Sequence, residues 1–274
     1  STFFRHDVAI EAPASIEEAH ALLRATHADL VMVAGGDGTV NVALQAIGSR
    51  PLALLPSGTA NDLAEELKVP RDVERACEIA KLKQLRAIDL IDANGFLFAT
   101  SGGTGMAADV AADTNRFKSS VGKLPGVRDL VKSVGKELYQ VFLLKEFAFP
   151  SMRRLRLRFD ASEREVSTAL VMINNQSLVG GSFAIAPGTQ NDDGTFAVSV
   201  FLDDDAASLA RTTAVVRSGK KPDASALLQF ETAHLTIDAL DDKPLSFFGD
   251  GELAPSSTSL ALTIKPKALL VAAP

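Results

Sequence analysis

The chain has 274 residues, 46% of them hydrophobic, with a formal net charge of −6 and a pI near 5.3. That length supports one large domain or two ordinary ones with a buried core, and the acidic balance argues against a general nucleic-acid binder. One cysteine, Cys77, excludes a disulfide framework or a cysteine metal site within the chain, and His6, His20, His27 and His234 stand in no ligand spacing.

In chain order, Val8-Ala9-Ile10 reads as a short strand, and Ser15 with Glu18 forms a capping-box pattern for a helix to about His27. Strand Leu30–Ala34 enters Gly35-Gly36-Asp37-Gly38-Thr39-Val40-Asn41, and the apolar spacing of Val42–Ile47 is helical. Strand Leu52–Leu55, a turn at Pro56-Ser57-Gly58-Thr59 and a helix from Ala60 to Leu67 follow, then a helix over about Asp72–Lys83. Strand Leu85–Ile91 ends in Asn94-Gly95, a hairpin signal. This alternation predicts a doubly wound, mostly parallel α/β domain over residues 1–95, with its ligand at the strands' C-terminal ends.

Beyond residue 95 the pattern changes. Phe96–Thr100 is read as a strand leading into a second glycine loop, Ser101-Gly102-Gly103-Thr104-Gly105. Residues 107–146 read as mainly helical. From 153 onward Leu155–Phe159, Val166–Ile173, Phe183–Ala186, Thr195–Leu202, Leu227–Ile237, Leu245–Phe248 and Leu260–Ile264 read as strands, with one helix over Ala206–Ser218. Residues 96–274 are therefore expected to be a β-sandwich with a helical insert, its last residues packing back on the first domain. Leu155–Phe159 is an expected sandwich edge that could pair in a homodimer or be covered.

Three stretches carry chemistry. Three glycines within four positions turn Val31–Ala34 into a helix, so free N–H groups at the helix start form a phosphate seat. Asp37 beside that seat makes sense if it acts through Mg²⁺ or a water on the metal. Ser57–Asp62 repeats the logic, and two such helix starts after neighbouring parallel strands would face one crevice. Near the end, Asp250 and Glu252 flank Gly251 and can supply a general base and a metal or hydroxyl partner. Asn191-Asp192-Asp193-Gly194-Thr195 reads either as a solvated turn or as a hard-cation loop.

Together these stretches resemble the soluble bacterial diacylglycerol kinase-like lipid kinases, whose catalytic domain is shared with sphingosine and ceramide kinases. The resemblance is carried by Gly35–Asn41, Leu55–Ala64, Gly102–Gly105, Ala186-Pro187 with Asp192-Asp193-Gly194, and Asp250-Gly251-Glu252. It implies ATP- and Mg²⁺-dependent transfer of the γ-phosphate to a lipid hydroxyl, in a cleft between the domains. Gly35, Gly36, Asp37, Gly38, Thr39 and Asn41 would form the nucleotide loop. Ser57, Gly58, Thr59, Asn61 and Asp62 would bind phosphate or orient the metal. Asp250 and Glu252 would provide the base, Glu252 first. Asp193, with the carbonyls of Gln190 and Thr195, would hold a second, structural Mg²⁺.

Two departures stand out. Val42 occupies a position where the family usually has Glu, and the family's opening strand with Asn-Pro and a glycine turn is expected to be missing before Val8. Arg116, Lys118, Lys123, Arg128, Lys132 and Lys136 against one acid, Asp129, suggest a face for an anionic membrane. The expected location is cytoplasmic, peripheral to the inner face of the membrane. The rivals are an NAD kinase-like enzyme, which shares Gly-Gly-Asp-Gly-Thr, and a non-catalytic nucleotide- or lipid-binding protein. A dehydrogenase is disfavoured because no Gly-x-Gly-x-x-Gly follows the first strand.

Overall fold

The architecture comes from a computed structural model that describes residues 8–106, 108–110, 112, 150–180 and 183–274. Its first helix, α1 (Ile16–Ala25), starts on Ser15, whose hydroxyl accepts from the Glu18 N–H at 3.2 Å. Glu18 in turn accepts from the Ala14 N–H at 2.6 Å, so the pair satisfies one orphan donor of the helix and ties down the residue before its N-cap. The expected strand at Val8–Ile10 is not formed, and Ile10 is 89% exposed. Three apolar residues without a ladder partner have nothing to hold them extended.

Strand β1 (Val31–Gly35) lies parallel to β2 (Leu52–Pro56), with Val31 opposite Leu52 and Gly35 opposite Pro56. Helix α2 (Asp37–Leu44) makes the crossover. A short α3 (Asp62–Glu66) and α4 (Val73–Leu82), capped by Asp72 on the Arg75 N–H at 2.9 Å, lead into β3 (Leu85–Ala93). Asn94 and Gly95, at φ 52° and 89°, turn β3 into β4 (Phe96–Phe98), the positive pair a type I′ hairpin needs.

The remaining strands are β5 (Ser101–Gly105), β6 (Arg153–Phe159), β7 (Ser162–Thr168), β8 (Leu170–Asn174), β9 (Leu178–Val179), β10 (Phe183–Ala184) and β11 (Phe196–Phe201). After α5 (Ala206–Arg217) come β12 (Leu227–Thr232), β13 (His234–Ala239), β14 (Leu245–Gly249), β15 (Glu252–Ser257) and β16 (Ser259–Ala272). Strands β12-β11-β8-β5-β14-β15 form one antiparallel sheet. It faces the larger mixed sheet across a core that includes Leu157, Val171, Ile173, Phe196, Val198, Ile237, Phe247 and Leu262.

The larger sheet is continuous from one domain to the other, because β16 spans both. Its first residues pair with β13, from Asp238–Ser259 to His234–Thr263. Its later residues run antiparallel to β3, and Val271 stands opposite Leu52 of β2 in parallel register. Among the described residues only β1–β2 and this last contact are parallel; β3, expected beside its sequence neighbours in a parallel sheet, reaches β2 through β16. The C-terminal Leu269 and Val271 thereby join the first domain's core with Val33, Leu54, Ile88 and Leu90.

Two runs read as single strands are each broken at one residue, Ala169 and Ala233, where the chain crosses from one sheet to the other. The preceding hydroxyl makes the corner. Thr168 Oγ1 accepts from the Leu170 N–H at 3.1 Å and lies 2.5 Å from the Phe201 carbonyl; Thr232 Oγ1 accepts from the His234 N–H at 3.2 Å. Ser257 repeats the device on the Ser259 N–H at 3.2 Å, between β15 and β16. The glycine stretch Ser101–Gly105, expected as a loop, is an interior strand between β8 and β14. A side chain on Gly103 would meet the Val171 carbonyl 2.5 Å away, so glycine is there for strand packing. Nor is β6 an edge: β7 covers it and takes the outer position.

Candidate active site

The first glycine loop is packed against protein on every side that its glycines open. A Cβ on Gly35 would collide with the Thr39 side chain, and one on Gly36 would lie 3.0 Å from the Gly58 Cα. One on Gly38 would collide with Glu252 Oε1. The backbones of the two loops are thus in direct contact, and the Ser57 N–H donates to the Gly35 carbonyl at 3.0 Å. None of the three glycines has positive φ; they are needed for close approach. Helix α2 starts inside the loop, at Asp37, with Gly36 as N-cap and no side-chain cap. Its first turn therefore retains unpaired N–H groups aimed out of the helix start.

Asp37 spans the two loops. Its Oδ2 accepts from the Asn61 N–H at 2.9 Å and its Oδ1 from the Asp62 N–H at 2.6 Å. The start of α3 is consequently capped by a carboxylate from the first loop and is not a second phosphate seat. Asn61, left-handed at φ 59°, folds its carboxamide back on Gly58, accepting from the N–H at 2.8 Å and donating to the carbonyl at 2.9 Å. Asp62 accepts from the Gly180 N–H at 2.8 Å, a tie from the first domain to the β9 region. Ser57 and Thr59 remain exposed. A shallow pocket between the loops is lined by Gly35, Gly36, Asp37, Pro56 and Asn61.

The acid pair near the C-terminus divides by environment. Asp250 is buried at φ 51° on the turn after β14. Its carboxylate accepts from the Ala99 N–H at 3.0 Å, the Thr100 N–H at 2.8 Å, the Thr100 hydroxyl at 2.7 Å and Asn41 Nδ2 at 3.1 Å. Burial pushes its carboxyl above the ordinary range and outweighs those donors, the Thr100 hydroxyl foremost, which pull it down. Glu252 opens β15, partly exposed, with its carboxylate against the α2 backbone at Gly38. Asn41, buried in α2, also donates to the Leu97 carbonyl at 3.0 Å. It therefore joins the nucleotide-loop helix to the acid turn.

Asp193 lies in an exposed turn, where its Oδ1 accepts from the Thr195 N–H at 3.0 Å and hydroxyl at 2.9 Å. Gln190, just before the turn, is exposed. Among the described residues no group of three or more His, Cys, Asp or Glu side chains gathers around a common point. Mg²⁺ that arrives with a nucleotide needs only one or two carboxylates, since phosphates and water complete its shell. Glu252, partly exposed beside the start of α2, could supply one such carboxylate, whereas Asp250 is taken up by its own donors and Asp193 stands in an exposed turn of its own.

Two residues that the sequence reading passed over shape the site. Asp89 of β3, 0% exposed, accepts from the Gly194 N–H and the Lys267 N–H, each at 2.7 Å. It pins the Asp193 turn and the β16 bend to one strand. Its only signal in sequence is an acid set inside the apolar stretch Ala87–Ile91 of β3. Arg71 donates to the carbonyls of Gly58 at 3.3 Å, Thr59 at 3.1 Å and Ala60 at 3.0 Å, turning three successive carbonyls of the second loop to one side. The basic stretch from Arg116 to Lys136 lies outside the described residues. Among the described residues no helix is long and apolar enough to cross a membrane.

A glycine loop opening an α/β domain, an acid turn delivered onto it by a β-sandwich and a strand shared by both define a two-domain kinase architecture of the diacylglycerol kinase type. Residues 5–93 match the diacylglycerol kinase catalytic domain, and residues 103–273 match the YegS C-terminal NAD kinase beta sandwich-like domain. The chain belongs to the family that joins these two domains. A Pseudomonas aeruginosa protein named "Probable lipid kinase YegS-like" is 33% identical over 190 residues, covering 68% of this chain and 57% of that protein. The chain thus spans somewhat over half of that relative's length. A Bacillus subtilis diacylglycerol kinase is 24% identical over 231 residues, covering 81% of this chain and 71% of that protein. A diacylglycerol kinase structure from Bacillus anthracis superposes with a TM-score of 0.66 at 16% identity, over 94% of this chain and 80% of that one.

Proposed function

We propose that the chain is an ATP- and Mg²⁺-dependent lipid kinase that transfers the γ-phosphate to the hydroxyl of a lipid such as diacylglycerol. The observation that carries this reading is the contact between Glu252 and the first turn of α2 at Gly38. It supports a carboxylate and a helix N-terminus acting on one reacting centre, base beside phosphate seat.

In this reading the uncapped first turn of α2, with Gly36 and Thr39, receives the nucleotide's phosphates. Asp37 holds the second loop against the first. Glu252 takes the proton from the lipid hydroxyl as its oxygen bonds to the γ-phosphorus and the bond to ADP breaks. Asp250, saturated by Thr100, Ala99 and Asn41, keeps the turn in place and leaves the base role to Glu252. Mg²⁺ would neutralise phosphate charge, with Asp193 and the carbonyls of Gln190 and Thr195 as ligands of a second, structural ion. Phosphoryl transfer asks for little more than this positioning and charge compensation. The lipid would be met at a membrane surface.

The test is transfer of labelled γ-phosphate from ATP to lipids in mixed micelles, with NAD as a parallel acceptor. Mg²⁺-dependent transfer to a lipid is expected, lost in Asp37→Ala and reduced about 10²- to 10⁴-fold in Glu252→Gln. Transfer to NAD alone would assign the NAD kinase activity instead. No transfer at all would leave a binding protein.

A further inference from the structure

Among the described residues, only Asn174 has both polar ends of its side chain buried without a hydrogen-bond partner. It is 0% exposed. Native proteins rarely leave a buried carboxamide unpaired, and such a group usually marks a bound molecule or a functional contact.

Its place on the sheet says which contact. Along β8, Val171 and Ile173 enter the sandwich core, whereas Leu170 and Met172 belong to the cluster on the opposite face. Strand alternation puts Asn174 on that second face, with Ser101 of β5 and Ala197 of β11 as its cross-strand neighbours. The Asp250 N–H donates to the Ser101 carbonyl at 2.8 Å, so Asn174 lies two strands from the turn that carries Asp250 and Glu252. Away from that turn the same face becomes apolar. Gly103 stands opposite Met172 and Phe248, and Gly105 opposite Leu170. Met106 and Met172 are buried in this cluster with Ile185 and with Leu209 and Val216 of α5, and Val179, Phe183 and Phe248 pack against it. Thioether side chains repack readily around an inserted chain. The face is polar beside the acid turn and apolar beyond it, the pattern of an acyl lipid with its hydroxyl at the acid turn.

We infer that Asn174 is a specificity-determining residue for the lipid. Its Nδ2 donates to the acyl carbonyl next to the reacting hydroxyl. The acyl chain leaves toward Met172 and Leu170, which are buried in the unliganded chain and must repack to admit it. The inference rests on the lipid-kinase reading and adds the acyl carbonyl as the feature recognised. The carbonyl can belong to an ester, as in diacylglycerol, or to an amide, as in ceramide.

The experiment compares the full chain and Asn174→Ala on diacylglycerol, ceramide and dialkylglycerol, which keeps the hydroxyl and chains but has no carbonyl. The wild type should favour at least one acyl lipid over dialkylglycerol by about tenfold or more in kcat/KM, because a site built to bond a polar group rejects the analogue that lacks it. Asn174→Ala should collapse that ratio toward one, through KM for the acyl lipid, with KM for ATP unchanged. Asn174→Ser, which keeps a donor, should retain part of it. The melting temperature of Asn174→Ala should equal or exceed that of the wild type, since no protein hydrogen bond is lost. An unchanged ratio in Asn174→Ala overturns the inference and leaves a water-satisfied amide. A lowered melting temperature with equal losses on all three lipids overturns it in favour of a structural role. Lipid transfer by the wild type with no acyl preference sinks the carbonyl contact while sparing the kinase reading; transfer to no lipid sinks both.

Discussion

Gly38 and Glu252, 214 positions apart in sequence, are in contact in space: no side chain larger than hydrogen fits at 38 without displacing the Glu252 carboxylate. The β-sandwich therefore delivers its acid onto the first turn of α2, and the glycine is the recess that receives it. Gly38→Ala should leave the fold intact, because alanine is the better helix former. Moving the acid by about 1 Å should lower kcat on the order of 10²-fold. Steady-state kinetics beside a thermal melt would separate the two effects. An unaltered kcat would remove Glu252 from the reacting centre.

Asp37 caps the second loop from the first. In Asp37→Asn one carboxylate oxygen becomes an NH₂ facing a backbone N–H of Asn61 or Asp62. The loss of one cap and the new donor clash should cost about 1–2 kcal/mol in urea unfolding. KM for ATP should rise, because the two loops are no longer held at contact distance. A variant with wild-type stability and KM would show that the cap is unimportant.

Asp250 gives a pH signature. Its carboxyl is raised in the folded state by burial, so the folded protein binds this proton more readily than the unfolded chain. The stability it contributes is fully present below the unfolded aspartate value near 3.9 and is lost as pH rises through the folded value. Other carboxylates dominate the absolute curve, so the difference from Asp250→Asn is the readout. Wild type minus variant should become more favourable as pH falls from 7 toward 4 in urea titrations. A difference that shrinks on acidification would mean that the donors from Thr100, Ala99 and Asn41 win over burial.

The corner hydroxyls should act in the same direction. Thr168→Val and Thr232→Val keep shape but strand the Leu170 and His234 N–H groups. Thr168→Val should cost about 1–3 kcal/mol, the penalty of a buried donor left unpaired, and Thr232→Val less, because the His234 N–H is only part-buried. The two corners share no partners, so the double variant should be close to additive. Equal stability of either variant and the wild type, by chemical denaturation, would show that the strand break at that corner is set by packing alone.

Much of the local structure was legible. Ser15 with Glu18, Asp72, the Asn94-Gly95 turn and the apolar strands β1, β2 and β3 all stand where spacing and turn chemistry put them, because each is decided by neighbours within a few residues. The glycine loop was found for a partly different reason from the one that holds it. Its glycines read as room for a ligand, whereas in the fold they admit Thr39, Gly58 and Glu252. Glycine says that something comes close; it does not say what.

The errors are all long-range. Ser101–Gly105 looks like a loop because a strand of glycines has no pattern of its own; its place between β8 and β14 comes from their backbones. Val166–Ile173 and Leu227–Ile237 look continuous because an alanine is apolar whether it lies in a strand or at a corner.

By itself the sequence determined the two-domain order, the glycine loop before α2, the acid turn at 250–252 and most strands, since hydrophobic period, capping and turn preference act over a few residues. Only the tertiary structure decided that β16 threads both domains, that Asp37 caps the second loop, that Asp250 is buried and Glu252 lies against Gly38. Each of those depends on which distant segment fills a given space, and burial and hydrogen-bond satisfaction settle that only when the whole chain has closed.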